Sequence, residues 1–246
     1  MFYEAMFKRK SVRKYTEEPL DKGVLESIEA YINNIESLYP DIKTEFKILP
    51  KDKVSSVIKA PQYVAVFSEE KEGYLTNVGF MLEQLDLFLS DSNIGACWIG
   101  IGNPEKEIKE KSELKFVILL AFGTGAEPIH RKGISEFKRK PVEQISNIDN
   151  PLMEIVRLAP SGMNSQAWYF NQKGSEIDIY ITKGNPIKNA LFGKGRKIDI
   201  GIAMCFLWSV AKHNDSRVQF ISHKDRELKG YEYIATANII EKQQII

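Results

Sequence analysis

The stretch KIDIGIAMCFLWSVAKHN, residues 197–214, is apolar almost all the way round a helical wheel. Such a helix cannot lie on a surface. It must be covered on every side, so the chain has to fold in layers around it. A second helical pattern, GYLTNVGFMLEQLDLFLSD at 73–91, places Leu75, Val78, Met81, Leu82, Leu85, Phe88 and Leu89 at helical spacing. Its polar residues are expected on the opposite face, toward water. The 246 residues suffice for one large domain or two small ones. The longest apolar stretches, near 116–122 and 200–211, are too short to span a bilayer.

Val, Ile, Phe and Tyr enrichment predicts strands at 62–68, 114–123, 176–182, 217–222 and 231–240. Shorter helices fit 20–35 and 150–159. The second has Asn150 placed as N-cap, Pro151 at the first helical position and Pro160 as its stop. The order of elements repeats: basic turn, short helix, strand, long helix, strand. KRKSV at 8–12 also resembles KRKPV at 138–142, and Gly79 and Gly201 recur within the two long helices. These features predict a duplication, with one half at 1–135 and another at 136–246 forming one intertwined unit. The stretch 124–150 reads as the connector, GACWIGIG at 95–102 as a turn, and 183–197 as a mobile basic loop.

Bulk properties exclude several classes. A formal net charge of +1 gives no global reason to bind nucleic acid or an anionic membrane. Cys97 and Cys205 sit in apolar settings without a CxxC, so they read as buried thiols in a reducing cytoplasm. The N-terminus has no apolar core of signal-peptide length. The three histidines are scattered, which argues against a metal site or a Ser–His–Asp hydrolase. FGTGAEP lacks the third glycine of a dinucleotide turn, because Pro128 stands there.

Two stretches are rich in ligand-binding groups. KRKSVRKY at 8–15 packs Arg9, Lys10, Ser11 and Arg13 together, a mixture of charged and neutral donors that suits a phosphate. Taken alone, it reads more simply as a solvated basic turn. LAPSGMNSQAWYF at 158–170 runs from an apolar start through Pro160 into Ser161, Gly162, Asn164, Ser165 and Gln166.

Together these stretches resemble the FMN-dependent nitroreductase family. RKSVRKY is similar to its R-x-S-x-R-x-[FY] motif and APSGMNSQAWYF to its APSxxNxQPWxF loop, with Ala167 in place of the usual proline. NIGACWIG and FKRKPVEQ are weaker matches. Family members are homodimers with flavin sites at the subunit interface. Here the two motifs fall in different halves of one chain, similar to a branch with two fused nitroreductase-like halves. The resemblance implies an α+β fold, a mixed sheet wrapped by helices, in two pseudo-symmetric halves that act as a monomeric pseudo-dimer.

The resemblance also implies FMN as cofactor, NAD(P)H as reductant, and a small acceptor such as a nitroaromatic or quinone in a ping-pong reaction. Arg9, Lys10, Ser11 and Arg139 would hold the phosphate. Arg13 would stabilise charge near N1 and O2 of the flavin. Ile99 and Gly100 would offer backbone near N5, and Pro160, Ser161 and Asn164 would contact the flavin from the other half. Gln166 would brace the loop and Trp168 would be core. No catalytic acid or base and no metal is implied, because the flavin carries the chemistry. The alternatives are a flavin-binding protein without turnover, for storage, sensing or delivery, and a remnant that binds no flavin.

Overall fold

In the computed structural model, residues 2–184 and 186–241 are described, with the backbone alone for 186–192. The chain divides into two units, Phe2–Glu136 and one that begins at Phe137. The secondary structure is α+β in both.

In chain order the first unit holds α1 (Tyr3–Lys8), α2 (Lys22–Ile32), β1 (Thr44–Pro50), β2 (Val54–Ser56), β3 (Gln62–Ser68), α3 (Tyr74–Asp91), β4 (Gly95–Ile99), β5 (Gly102–Pro104), α4 (Lys106–Glu110) and β6 (Lys115–Gly123). Its sheet runs β1-β3-β6-β4, with antiparallel ladders throughout. Strands β2 and β5 form a small antiparallel ribbon. Strand β3 is buried along its whole length. Alternation explains why it is apolar nearly throughout. Val64 and Val66 face the α3 residues Val78, Leu82, Leu85 and Leu89. Tyr63, Ala65 and Phe67 face the other way, into a cluster with Cys97, Ile99, Leu119 and Ala121.

Helix α3 departs from the expected half-exposed pattern. Asn77, Glu83, Gln84 and Asp86 are buried with the apolar residues. Asn77 Oδ1 accepts the backbone N–H groups of Leu38 (2.9 Å) and Tyr39 (3.0 Å). Gln84 accepts from Glu36 N–H at 3.1 Å and donates to Glu36 O at 2.7 Å. The polar side of α3 therefore supplies partners to a loop that would otherwise bury bare backbone. Gly73, just before α3, has φ +82°, and a Cβ there would lie 2.7 Å from the Tyr39 ring.

The second unit holds α5 (Pro151–Val156), β7 (Trp168–Lys173), β8 (Glu176–Thr182), α6 (Pro186–His213), β9 (Ser216–Ile221) and β10 (Tyr231–Glu241). Its sheet runs β7-β8-β10-β9, again with antiparallel ladders. The 200–207 turns of α6 are buried on all sides, as their composition demands. Asn150 Oδ1 accepts Leu152 N–H at 2.9 Å, which makes it the N-cap of α5, with Pro151 in the first turn.

Two sequence expectations are corrected here. GACWIG is not a turn: Gly95–Ile99 is edge strand β4, paired with β6. The expected loop at 183–197 is helix from Pro186 onward, where α6 starts, and residue 185 lies outside the described residues. Proline is well suited to a first helical turn, where its missing N–H needs no partner. Among the described residues, no helix is long and apolar enough to cross a membrane.

Candidate functional site

The basic segment leaves α1 at Arg9 with extended backbone (φ −57°, ψ 140°). It is held by backbone pairing: Arg9 bridges His130, Ser11 bridges Ala96 in parallel fashion, and Tyr15 bridges Gly125. Val12 N–H donates to Ala96 O at 2.8 Å. The Val12 side chain is buried against Gly95, where a Cβ would lie 2.9 Å from it, so the close approach needs glycine. With Val12 turned inward, Ser11 is partly exposed and Arg13 exposed. The Tyr15 hydroxyl lies 2.7 Å from Val12 O and 3.2 Å from Ala121 O, locking the far end of the segment. Burial pushes its pKa far above the ordinary phenol value, so it stays a neutral donor.

Arg9, which the resemblance assigns to the phosphate, is buried and paired to an acid. It is 1% exposed, and its Nη2 lies 3.2 Å from Asp86 Oδ2 on α3. Trp98 Nε1 donates to the same oxygen at 2.9 Å. Arg131 donates from its guanidinium to Arg9 O and from its backbone N–H to Lys8 O. Burial, and then the Arg9 charge, pull Arg131 down to about 10, still protonated at neutral pH. Arg9 is thus a buried brace between the basic segment and α3. Its Nε is buried without a hydrogen-bond partner. Among the described residues, Arg13 has no salt-bridge partner and Lys10 is half-buried.

Ile99 is buried at the end of β4 and Gly100 is exposed beyond it. A Cβ at Gly100 would meet nothing within 4 Å, so open space lies beside that backbone. Cys97, on the same strand, is buried, and burial raises its thiol pKa despite the Ser11 hydrogen bond and Arg13. A buried thiol of this kind is inert.

The second unit builds its loop in another way. Lys138 (φ 34°), Met163 (φ 54°), Asn164 (φ 53°) and Gln166 (φ 40°) all have left-handed backbone, which side chains other than glycine rarely adopt. Side chains hold this conformation. Gln166, 1% exposed, accepts Lys140 N–H at 2.7 Å and donates to Arg157 O at 2.9 Å. Ser161 Oγ accepts Gln166 N–H at 2.9 Å. Arg139 donates to Leu158 O at 3.0 and 3.2 Å and also to Asn164 Oδ1. Asn164 Nδ2 donates to Lys138 O at 2.8 Å. Pro160 is buried beside this network, and Met163 at the tip is 86% exposed.

Beneath the loop, Asp199 of α6 accepts Gly162 N–H at 2.9 Å. The Ser165 side chain also hydrogen-bonds to it. Burial pushes Asp199 up to about 7, against the pull of Gly162, Ser165 and Arg196.

The structure therefore brings Arg9, Lys10, Ser11 and Arg13 alongside the strand that ends at Ile99 and Gly100, all within the first unit. It brings Arg139, Pro160, Ser161 and Asn164 into one loop network in the second. Gln166 braces its loop and Trp168, 1% exposed, is core. Sequence reasoning missed Asp86, Arg131 and Asp199. Asp199 had one available signal: it is the acid in the nearly all-apolar 197–214 stretch. Among the described residues, no group of three or more His, Cys, Asp or Glu could hold a metal ion.

Residues 1–211 match the model of the family described as "Putative TM nitroreductase". A solved structure of a "putative nitroreductase" from Thermotoga maritima is similar over 97% of this chain and 93% of its own, with 21% identity and a TM-score of 0.65. An FMN-dependent nitroreductase from Clostridium difficile R20291 covers 61% of this chain and 99% of its own, at 17% identity and a TM-score of 0.47. A "putative NADH oxidase" from Clostridium acetobutylicum covers 58% of this chain and 96% of its own, at 22% identity and a TM-score of 0.44. No curated protein gives a significant match. With its basic segment, its serine–asparagine loop and a family match over most of its length, this chain belongs to that nitroreductase family, a family of oxidoreductases.

Proposed function

We propose that this protein is an FMN-dependent oxidoreductase that passes electrons from NAD(P)H to small oxidised acceptors, such as nitroaromatics or quinones, by a ping-pong mechanism. The observation that carries the reading is Arg13. It is an exposed cation without an ion-pair partner among the described residues, on a segment fixed in place by backbone pairing. Such a residue is held ready for an anion. Family membership supports the cofactor class.

The residues present fit FMN. Arg9 Nε is a buried donor with no hydrogen-bond partner, and the Ser11 hydroxyl lies two residues away on the same extended segment. Ser11 and Lys10 bind the phosphate, and the Arg9–Asp86 pair fixes their backbone. Arg139 acts chiefly by holding Asn164 and the carbonyl of Leu158, so the loop keeps its shape. Pro160, Ser161 and Asn164 are the flavin-contacting loop that the resemblance assigns to the second unit, and in the first unit Gly100 has open space beside its backbone. Bound FMN supplies the two-electron hydride chemistry that no side chain here could perform. Arg13 stabilises the negative charge that reduction places on the N1–O2 side.

One charged hydrogen bond is about 1.5–3 kcal/mol, or roughly 30–65 mV in a two-electron couple. Arg13→Ala is therefore expected to lower the flavin potential by tens of millivolts. An unchanged potential with FMN still bound would remove Arg13 from this role. The broader test is direct: the purified protein should absorb near 450 nm, hold close to one FMN per monomeric chain, and oxidise NAD(P)H when menadione is added. Flavin bound without turnover would convert the reading into a flavin-storage or sensing protein. A colourless protein that ignores added FMN would end it.

A further inference from the structure

Asp199 is the one buried carboxylate in contact with the 161–166 loop among the described residues, and no role above uses it. It is 7% exposed, and Oδ1 receives the Gly162 N–H at 2.9 Å. The Ser165 side chain approaches the same carboxyl group. The loop it touches carries left-handed backbone at Met163, Asn164 and Gln166. That conformation is held from one side by Arg139 and Gln166 and from below by Asp199.

We propose that Asp199 is a protonation-sensitive pin, a positioning residue that keeps the 161–166 loop closed while neutral and releases it when ionised. A neutral carboxyl accepts the Gly162 N–H through its carbonyl oxygen. The ionised form keeps two acceptors but must carry a buried charge. Opening the loop hydrates that charge, so ionisation favours the open state.

The groups around Asp199 set where this happens. Arg196, three residues earlier on α6, is the charged group acting on it among the described residues. The loop contributes Gly162 and Ser165, neither titratable. Burial outweighs all three favourable partners and raises Asp199 to about 7. The release therefore falls within the physiological range.

The loop release stands on the burial of Asp199 and its contact with Gly162, whereas its effect on flavin affinity rests on the cofactor reading above. Two measurements separate them. In the flavin-free protein, hydrogen exchange at the Gly162 amide is compared between wild type and Asp199→Asn from pH 6 to 8, the variant correcting for intrinsic exchange. Asparagine mimics the neutral acid. Relative protection in wild type should match the variant at pH 6 and fall several-fold by pH 8. In the second measurement the FMN dissociation constant is taken for both proteins over the same range. The ratio of wild type to variant cancels the ionisation of the FMN phosphate. It should rise several-fold with a midpoint near 7.

A flat protection ratio, or protection that grows with pH, overturns the proposal. A falling protection ratio in a protein that binds no FMN supports the pin and sinks the cofactor reading. Should Asp199→Asn fail to fold, Ser165→Ala serves in its place. It removes a hydrogen bond that favours the charged form, so the midpoint of loop release should move to higher pH, and an unmoved midpoint counts against the pin.

Discussion

The two units hold their ligand-facing segments by different means. In the first, the 9–15 segment is paired through its backbone to Ala96, Gly125 and His130. Its exposed Arg13 side chain is left for other partners. In the second, the 160–166 loop has left-handed backbone that local preference disfavours, and a network of side chains keeps it there. A backbone-held segment should tolerate change at its exposed side chains and fail only with the unit around it. A loop held by side chains should fail locally, one hydrogen bond at a time, while its unit stays folded.

Breaking the buried ion pair should have the largest effect. Asp86→Ala leaves Arg9 buried and unpaired and takes the acceptor from Trp98 Nε1. The expected loss is about 3–5 kcal/mol of stability. Denaturant titration should show it as a global shift in midpoint, with the Val12 amide losing protection only together with its sheet. Early, separate exchange at Val12 would show that the side-chain brace, not backbone pairing, holds the segment.

Next comes the pH dependence of the second unit. Asp199 has a folded pKa raised from 3.8 to about 7. Its contribution to stability is therefore fully present below about pH 4 and is lost as pH rises through about 7. A tenfold change in proton affinity is about 1.4 kcal/mol, which bounds the swing at roughly 4 kcal/mol. Asp199→Asn should flatten that part of the stability profile, and an unchanged slope between pH 5 and 8 would count against the assignment.

A smaller and more local effect is expected at Gln166. Gln166→Ala strips partners from Lys140 N–H and Arg157 O. About 1–3 kcal/mol is at stake. It should appear first as faster exchange and protease nicking within 160–166, with the β7–β8 core unaffected. The smallest effect serves as a control in the same unit. Asn150→Ala removes the α5 cap for about 1 kcal/mol. It should leave the loop amides as protected as before, because the cap side chain accepts from Leu152 N–H, outside the loop.

Much of the scaffold was legible from pattern. Residues 62–68 and 176–182 were expected as strands and are β3 and β8 at those bounds. Asn150 and Pro151 announced the start of α5, and residues 73–91 announced α3 to within one residue. The edge strand at 95–99 was misread because two glycines and a short run resemble a turn until β6 is there to pair with them. The basic stretch from 186 to 197 was misread because its Gly and Lys content conceals a helix. The candidate site was legible only as residue types: the motif residues at 9–13 and 160–166 carry the resemblance, but nothing in their spacing separates Arg9, which is buried, from Arg13, which is exposed.

The chain's own order of residues determined most of the helices, strands and caps, though not strand β4 or the start of α6. Those choices depend on periodicity and capping chemistry within a few neighbours. Only the tertiary structure decided that Asp86 meets Arg9 and that Asp199 lies under Gly162. Such pairs are set by how helices and strands pack across long stretches of chain. Their chemistry follows from burial, a property of that packing and not of the residues alone.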